Sequence, residues 1–148
     1  MTDIYEPSPS DRVREQVSLY EATDGREGGT LEGRPVVILT TVGAKTGNTR
    51  KNPVMRIKEG DVYVAVASNA GAPTHPAWYR NVVVHPELSL QDGATVHRVR
   101  AREVHGDEKA HWWGVAERDW PHFPEYRVKA GDREIPVMLL EPVVAEEG

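Results

Sequence analysis

Residues 35–42 read PVVILTTV, and after only six residues, GAKTGN, the chain returns as TRKNPVMRIK. A parallel pair of strands needs a crossover of about a dozen residues or more, so two β-runs this close are antiparallel neighbours. The same punctuation recurs along the chain. Glu59-Gly60-Asp61 turns into a third run, Val62–Ala67 (VYVAVA), and Asp92-Gly93 joins Leu88–Gln91 to Thr95–Val104 as a hairpin. In the second arm of that hairpin Arg98, Arg100 and Arg102 share one face, while His97, Val99 and Ala101 share the other. Glu134–Leu140 reads as a last strand. Pro53 interrupts Thr49–Lys58 and puts that strand at an edge or a bulge.

Helices fall between these runs. Ser10 or Asp11 caps a helix over roughly 11–22, with Val13, Val17 and Tyr20 on one modest apolar face. His75–Val84 fits a short helix with Pro76 in its first turn. Asp107 opens another helix to about 119, after which Pro121 and Pro124 break the chain. The expectation is an α+β protein, mainly β, with about six largely antiparallel strands and three flanking helices.

At 148 residues, with 39% apolar and 28% charged side chains, a single soluble domain over 1–148 is expected. The chain has no cysteine, which removes disulfides, thiolate metal sites and a cysteine nucleophile. Its six histidines form no HExxH and no i, i+4 pair, so no metal is expected. Neither GxSxG nor GxGxxG occurs. No apolar run approaches the ~20 residues of a membrane span, and the N-terminus is acidic and polar, so the expected compartment is the cytoplasm.

The net charge of −5 is unevenly spread. Residues 1–33, read as an acidic helix-and-loop arm, hold three basic and eight acidic side chains. Residues 34–58 hold Arg34, Lys45, Arg50, Lys51, Arg56 and Lys58 and no acid. A local +6 in an acidic protein suits a small, multiply charged anion better than nucleic acid, which calls for a basic stripe on a basic domain. Solvated charges on strand edges are the plainer alternative.

Three segments carry chemistry. The turn GAKTG lacks Walker spacing and lies between two strands, yet its glycines let backbone N–H groups approach an anion. Lys45 supplies charge at its tip, Thr46 a hydroxyl, and Arg50 a bidentate fork from the returning strand. Val66–Asn81 (VASNAGAPTHPAWYRN) leads from a strand end through small residues, where a planar ligand can lie against backbone amides, to Trp78 and Tyr79 on a helix. Trp112 and Trp113 are adjacent on one helix and so cannot share a face. With Trp120, Phe123 and Tyr126 they suggest an aromatic wall, or a helix–sheet interface with one tryptophan left over.

Together, TTVGAKTGNTRKNPV and VAVASNAGAPTHPAWYRNVVVHPELSLQ closely resemble the deazaflavin-dependent nitroreductase family, the branch of split β-barrel flavin-type oxidoreductases that uses coenzyme F420. The resemblance runs from about Gly29 to Pro142, and REIPVMLLEP matches the family's terminal strand. It implies a split β-barrel cofactor-binding core over 34–142, often dimeric. It implies that Lys45, Thr46 and Arg50 hold the cofactor's phosphate end. Lys51, Asn52, Pro53, Val54 and Met55 would pass along the deazaflavin and its ribityl chain. Val66, Ala67, Ser68 and Asn69 would line the ring, and Ala77, Trp78, Tyr79 and Asn81 would complete the pocket. Ala44 stands where relatives often carry a basic residue, which leaves more of the anion to Lys45 and Arg50.

The implied activity is hydride transfer from reduced coenzyme F420 to a small electron-poor acceptor: a quinone, an activated enone or a nitroaromatic. Family members that reduce nitro groups place tyrosines in the segment matching Trp120–Arg127. Tyr126 keeps one, and Phe123 replaces the other. Ser68, His122 and Tyr126 are the candidate hydrogen-bond or proton donors, and Trp113, Trp120 and Phe123 the candidate acceptor wall. FMN is the alternative cofactor, and a binding protein without turnover the alternative role. No nucleic acid and no stable membrane insertion is expected.

Overall fold

Ile57 sits where the two ends of the sheet meet. The computed structural model describes residues 4–143. Its eight strands are β1 (Thr30–Leu31), β2 (Arg34–Val42), β3 (Thr49–Met55), β4 (Lys58–Glu59), β5 (Val62–Val66), β6 (Glu87–Asp92), β7 (Thr95–Val104) and β8 (Val137–Pro142). They form one sheet in the order β1-β2-β6-β7-β8-β5-β4, with β3 also on β2, and every ladder is antiparallel. Only Arg56 and Ile57 separate β3 from β4, three Cα–Cα steps and a reach of ~11 Å at most, so the sheet has to curl until its ends touch. The Arg56 N–H donates to the Pro35 carbonyl at 2.9 Å, continuing the β2–β3 ladder. The Ile57 carbonyl accepts from the Val64 N–H at 2.9 Å, continuing the β4–β5 ladder. Beyond this junction no ladder joins β3 to β5, and the barrel stays split there.

The strands β2, β5 and β8 are buried on both faces. Val37, Leu39, Tyr63, Ala65, Leu88, Leu90, Val99, Ala101, Met138 and Leu140 fill the barrel interior, plugged at one end by Trp78 and Val82. The residues that alternate with them point outward: Val36 and Ile38 against Val17 and Tyr20, and Val64, Val137 and Leu139 against Trp113, Val115, Ala116, Trp120 and Phe123. This is why PVVILTTV and VYVAVA read as continuous apolar runs: both sides of the pleat are covered.

Four α-helices flank the sheet: α1 (Asp11–Thr23), α2 (Ala77–Val84), α3 (Gly106–Asp119) and α4 (Phe123–Ala130). Ser10 caps α1, its hydroxyl accepting from the Val13 N–H at 3.3 Å. The helix α4 corrects the expected break. Pro124 falls in its first turn, where a missing N–H costs no intrahelical bond, so Pro121 ends one helix and Pro124 starts the next. Pro76 likewise precedes α2 rather than joining it. The returning strand stops at Met55 because the chain crosses to the other sheet edge. The last strand begins after Pro136, which has no N–H for a ladder. The two strands beyond the expected six are the two-residue pieces β1 and β4.

Candidate functional site

The split between β3 and β5 opens into a cleft of about 280 Å³. Asn52, Pro53, Val54 and Met55 line it from one lip and Val66, Ser68 and Asn69 from the other, with Trp78 beneath. Trp120, Phe123 and Tyr126 close it from the α3–α4 side, and Arg12, Val13 and Leu31 from the N-terminal side. A second cleft of about 630 Å³ adjoins the first through Pro76, which lines both. Lys45 and Thr46 of the GAKTG turn and Arg50 of β3 line it, together with Ala77, Tyr79, Arg80 and Asn81 of α2 and with Glu6 and His75. One end of the combined groove is apolar and aromatic, and the other is cationic.

Asn81 ties the cationic end together. Its Oδ1 accepts from the Ala44 N–H at 2.9 Å, and its Nδ2 donates to Thr41 Oγ1 at 3.2 Å. Only 7% exposed, it positions the turn from beneath. Gly43, by contrast, is packed closely enough that a Cβ would meet Thr46 Oγ1 at 2.9 Å.

The apolar end is organised by Arg133, in the turn after α4. Its Nη2 donates to the Ser68 carbonyl at 2.6 Å, its Nη1 to the Ala67 carbonyl at 3.1 Å, and its Nε to the Ala72 carbonyl at 2.9 Å. Nη1 also meets His75 Nδ1 at 2.8 Å. A guanidinium only donates, so Nδ1 is the acceptor, and the neutral ring carries its proton on Nε2. Burial, with the nearby Arg133 charge, holds the His75 pKa below its ordinary value. Between these anchors Asn69, Ala70 and Gly71 all have positive φ, at 48°, 53° and 78°. Ser68 is 8% exposed, and its hydroxyl makes no hydrogen bond among the described residues.

Not every expected residue reaches the groove. Lys51 turns the other way, its ammonium paired with Glu21 and lying 5.5 Å from the Tyr5 ring centroid. Trp113 packs against Phe123 at 5.9 Å between centroids, with Arg127 4.2 Å from its own ring, in the outer core rather than in either cleft. His122 precedes α4 with Nδ1 3.2 Å from Glu125 Oε2 and lines neither cleft. Ala67 is fully buried and contributes its backbone alone. Tyr79 gives its hydroxyl to Glu103 Oε1 at 2.6 Å, and burial with that bond pushes its pKa up to about 12.

The +6 segment is also not a bare positive patch. Arg50 meets Glu6, Lys51 meets Glu21, and Arg56 meets Asp92. Arg34 donates to the Asp119 carbonyl, and Lys58 lies over Tyr63. Lys45 makes no ion pair among the described residues and is exposed. Of the residues that sequence reasoning missed, Glu6 and Arg133 lie far in the chain from the motifs they serve, with no local pattern to mark them, while His75 lies inside the Val66–Asn81 segment.

Residues 12–142 match the family described as F420H(2)-dependent quinone reductase. The chain is 32% identical over 127 residues to the F420H(2)-dependent quinone reductase Rv1261c of Mycobacterium tuberculosis, covering 83% of this chain and 85% of the relative. Among solved structures it is similar to an F420-H2 dependent reductase, FDR-A, at 47% identity and a TM-score of 0.68, over 73% of this chain and 95% of that one. A second, described as a domain-swapped dimer, is 44% identical with a TM-score of 0.70, over 90% of this chain and all of that one. A heme binding protein from Mycobacterium smegmatis, at 18% identity and a TM-score of 0.55, shares the fold.

Proposed function

We propose, for a chain that belongs to the F420H(2)-dependent quinone reductase family, hydride transfer from reduced coenzyme F420 to a quinone. The observation that carries this reading is the groove itself: an apolar slot for a planar ring runs into a cleft lined by Lys45, Thr46 and Arg50. Coenzyme F420 joins a deazaflavin ring to a phosphodiester, a lactyl carboxylate and an oligoglutamate tail, and that order of parts fits the groove. Lys45, Thr46 and Arg50 would hold the phosphate end. Val54, Met55, Val66, Ser68 and Trp78 would flank the ring. When bound, the reduced cofactor supplies the hydride; the protein binds, orients and excludes water.

Tyr126 and Ser68 are the donors that face the ring slot. In this reading the Tyr126 hydroxyl gives a hydrogen bond, and then a proton, to the acceptor oxygen on which negative charge develops. Such a donor contributes about 10²–10⁴-fold. Ser68 Oγ holds the acceptor in place. Trp120 and Phe123 form the wall against which a flat quinone stacks. The reaction would run in the cytoplasm, and a homodimer, supported by the domain-swapped relative, is part of the proposal.

Titration with coenzyme F420 and in parallel with FMN, followed by fluorescence, tests the cofactor. Low-micromolar F420 binding that is lost in Lys45→Ala and Arg50→Ala is the expected result. Menadione should then reoxidise the protein-bound reduced cofactor faster than the free one. Tight FMN binding without F420 binding, or equal reoxidation on and off the protein, would refute the reading.

A further inference from the structure

The donors of the GAKTG turn and the start of β3 already hold an anion, and it belongs to the chain itself. Glu6 Oε2 accepts from Arg50 Nη1 at 2.8 Å. Its Oε1 accepts from Asn48 Nδ2 at 3.1 Å and lies 3.5 Å from Thr46 Oγ1. The backbone around it is pinned in β fashion. The Glu6 N–H donates to the Thr49 carbonyl at 2.8 Å, the Thr49 N–H donates to the Ile4 carbonyl at 2.7 Å, and Tyr5 bridges Thr49 in parallel register. Glu6 is one of the residues lining the cationic cleft. One residue further along β3, on its other face, Glu21 of α1 pairs with Lys51.

This pairing accounts for part of the charge asymmetry of the sequence. The acidic arm supplies the counter-ions of two of the six cations in the +6 segment, Glu6 for Arg50 and Glu21 for Lys51. A phosphate or carboxylate entering the cleft therefore meets Lys45 with no ion pair among the described residues but Arg50 already engaged, and its binding at Arg50 is an exchange of one anion for another.

We propose that Glu6 is a selectivity-determining residue of the cationic cleft: it occupies the anion position, and only a ligand with enough negative charge of its own displaces it. The proposal rests on the cofactor reading above for the ligand's identity, but not for the exchange itself. The Arg50–Glu6 pair is partly exposed, with side chains at 24% and 40%, so it is weak enough for a multiply charged ligand to replace. A neutral ring without a tail cannot make that replacement and draws no affinity from this end of the groove.

The test compares the full chain with Glu6→Gln, which keeps the side chain's length and its acceptor oxygen and removes its charge. Three probes are titrated: coenzyme F420, the deazaflavin riboside that lacks the phosphate and glutamate tail, and inorganic pyrophosphate. Glu6→Gln should tighten F420 and pyrophosphate roughly fivefold and leave the tail-less riboside unchanged. Hydrogen exchange gives a readout independent of turnover. In the wild type, saturating pyrophosphate should speed exchange at the Glu6 and Thr49 amides, whose bonds pin the segment. Unchanged or weaker binding of both anions in Glu6→Gln would overturn the proposal and make Glu6 a structural partner of Arg50. Tighter pyrophosphate with no F420 binding in either protein would sustain the exchange and sink the cofactor reading instead.

Discussion

Arg133 Nη2 donates to the Ser68 carbonyl at 2.6 Å, across 65 residues of sequence. Through that bond and its partners at Ala67 and Ala72, the turn after α4 sets the loop that forms one lip of the ring slot. The slot's shape thus depends on a side chain that lines neither cleft.

Arg133→Ala leaves these carbonyls without their donor, at about 1–3 kcal/mol for each one kept from water. A loss of about 2 kcal/mol or more in urea unfolding is expected, with F420 affinity at least tenfold weaker. Arg133→Lys should restore part of the stability and little of the affinity, because an ammonium cannot span the fork. Equal affinity in wild type and Arg133→Ala would show that the lip holds without it.

Asp92, at the end of β6, ties down the junction between β3 and β4. Arg56 Nε lies 2.9 Å from both of its oxygens, and the Tyr63 hydroxyl donates to Oδ2 at 2.6 Å. Burial pushes this carboxyl up, but the Arg56 and Tyr63 hydrogen bonds outweigh it and hold its pKa below the ordinary value. A depressed native pKa stabilises the fold above the unfolded value of ~3.9 and is lost as pH falls through the native one. Wild-type stability should therefore drop in acid below about pH 4. Asp92→Asn should lose about 1–3 kcal/mol at neutral pH and show a shallower acid slope. Urea midpoints between pH 3 and 7 measure both.

The antiparallel hairpins were legible because their connections are short and their turns carry glycine. The edge position of β3 was legible from Pro53, which pairs only toward β2. The curl was not, because it rests on two residues, Arg56 and Ile57, bonding to opposite edges of the sheet. Pro124 misled because a proline that breaks a helix interior also suits a first turn. At the site, Lys45, Thr46 and Arg50 fall together because the turn carries the first two and the strand leaving it carries the third. Lys51 is next to Arg50 in sequence and faces away, as strand alternation requires. The +6 count failed as a guide to field strength, since Glu6, Glu21 and Asp92 come to it from elsewhere in the chain.

Asn81 lines the anion cleft, but its amide is taken up by the Ala44 N–H and Thr41 Oγ1, so its removal should act on the turn rather than on the ligand. Asn81→Ala frees the GAKTG backbone and leaves buried polar groups unpaired, at about 1–3 kcal/mol. F420 affinity should fall about tenfold, while the tail-less riboside binds as before. An equal loss for both would mean that Asn81 supports α2 as a whole.

Gly71 couples the ring-side loop to α4. At φ +78° it occupies backbone space that side chains resist, and a Cβ there would lie 2.8 Å from Lys129 Cβ and 2.9 Å from the Tyr126 carbonyl. Gly47 has a similar φ of +74° with nothing within 4 Å. The pair separates two effects. Gly47→Ala bears the conformational cost alone, about 1 kcal/mol. Gly71→Ala adds the clash, about 1–3 kcal/mol more, and relieves it by pushing α4 away from the loop. That displacement carries the Tyr126 hydroxyl, so quinone turnover should fall by tenfold or more while F420 affinity changes less. Thermal unfolding and steady-state kinetics on both variants check this. Equal stability losses in the two variants would show that α4 accommodates the methyl, and unchanged turnover in Gly71→Ala would remove Tyr126 from the proton-donor role.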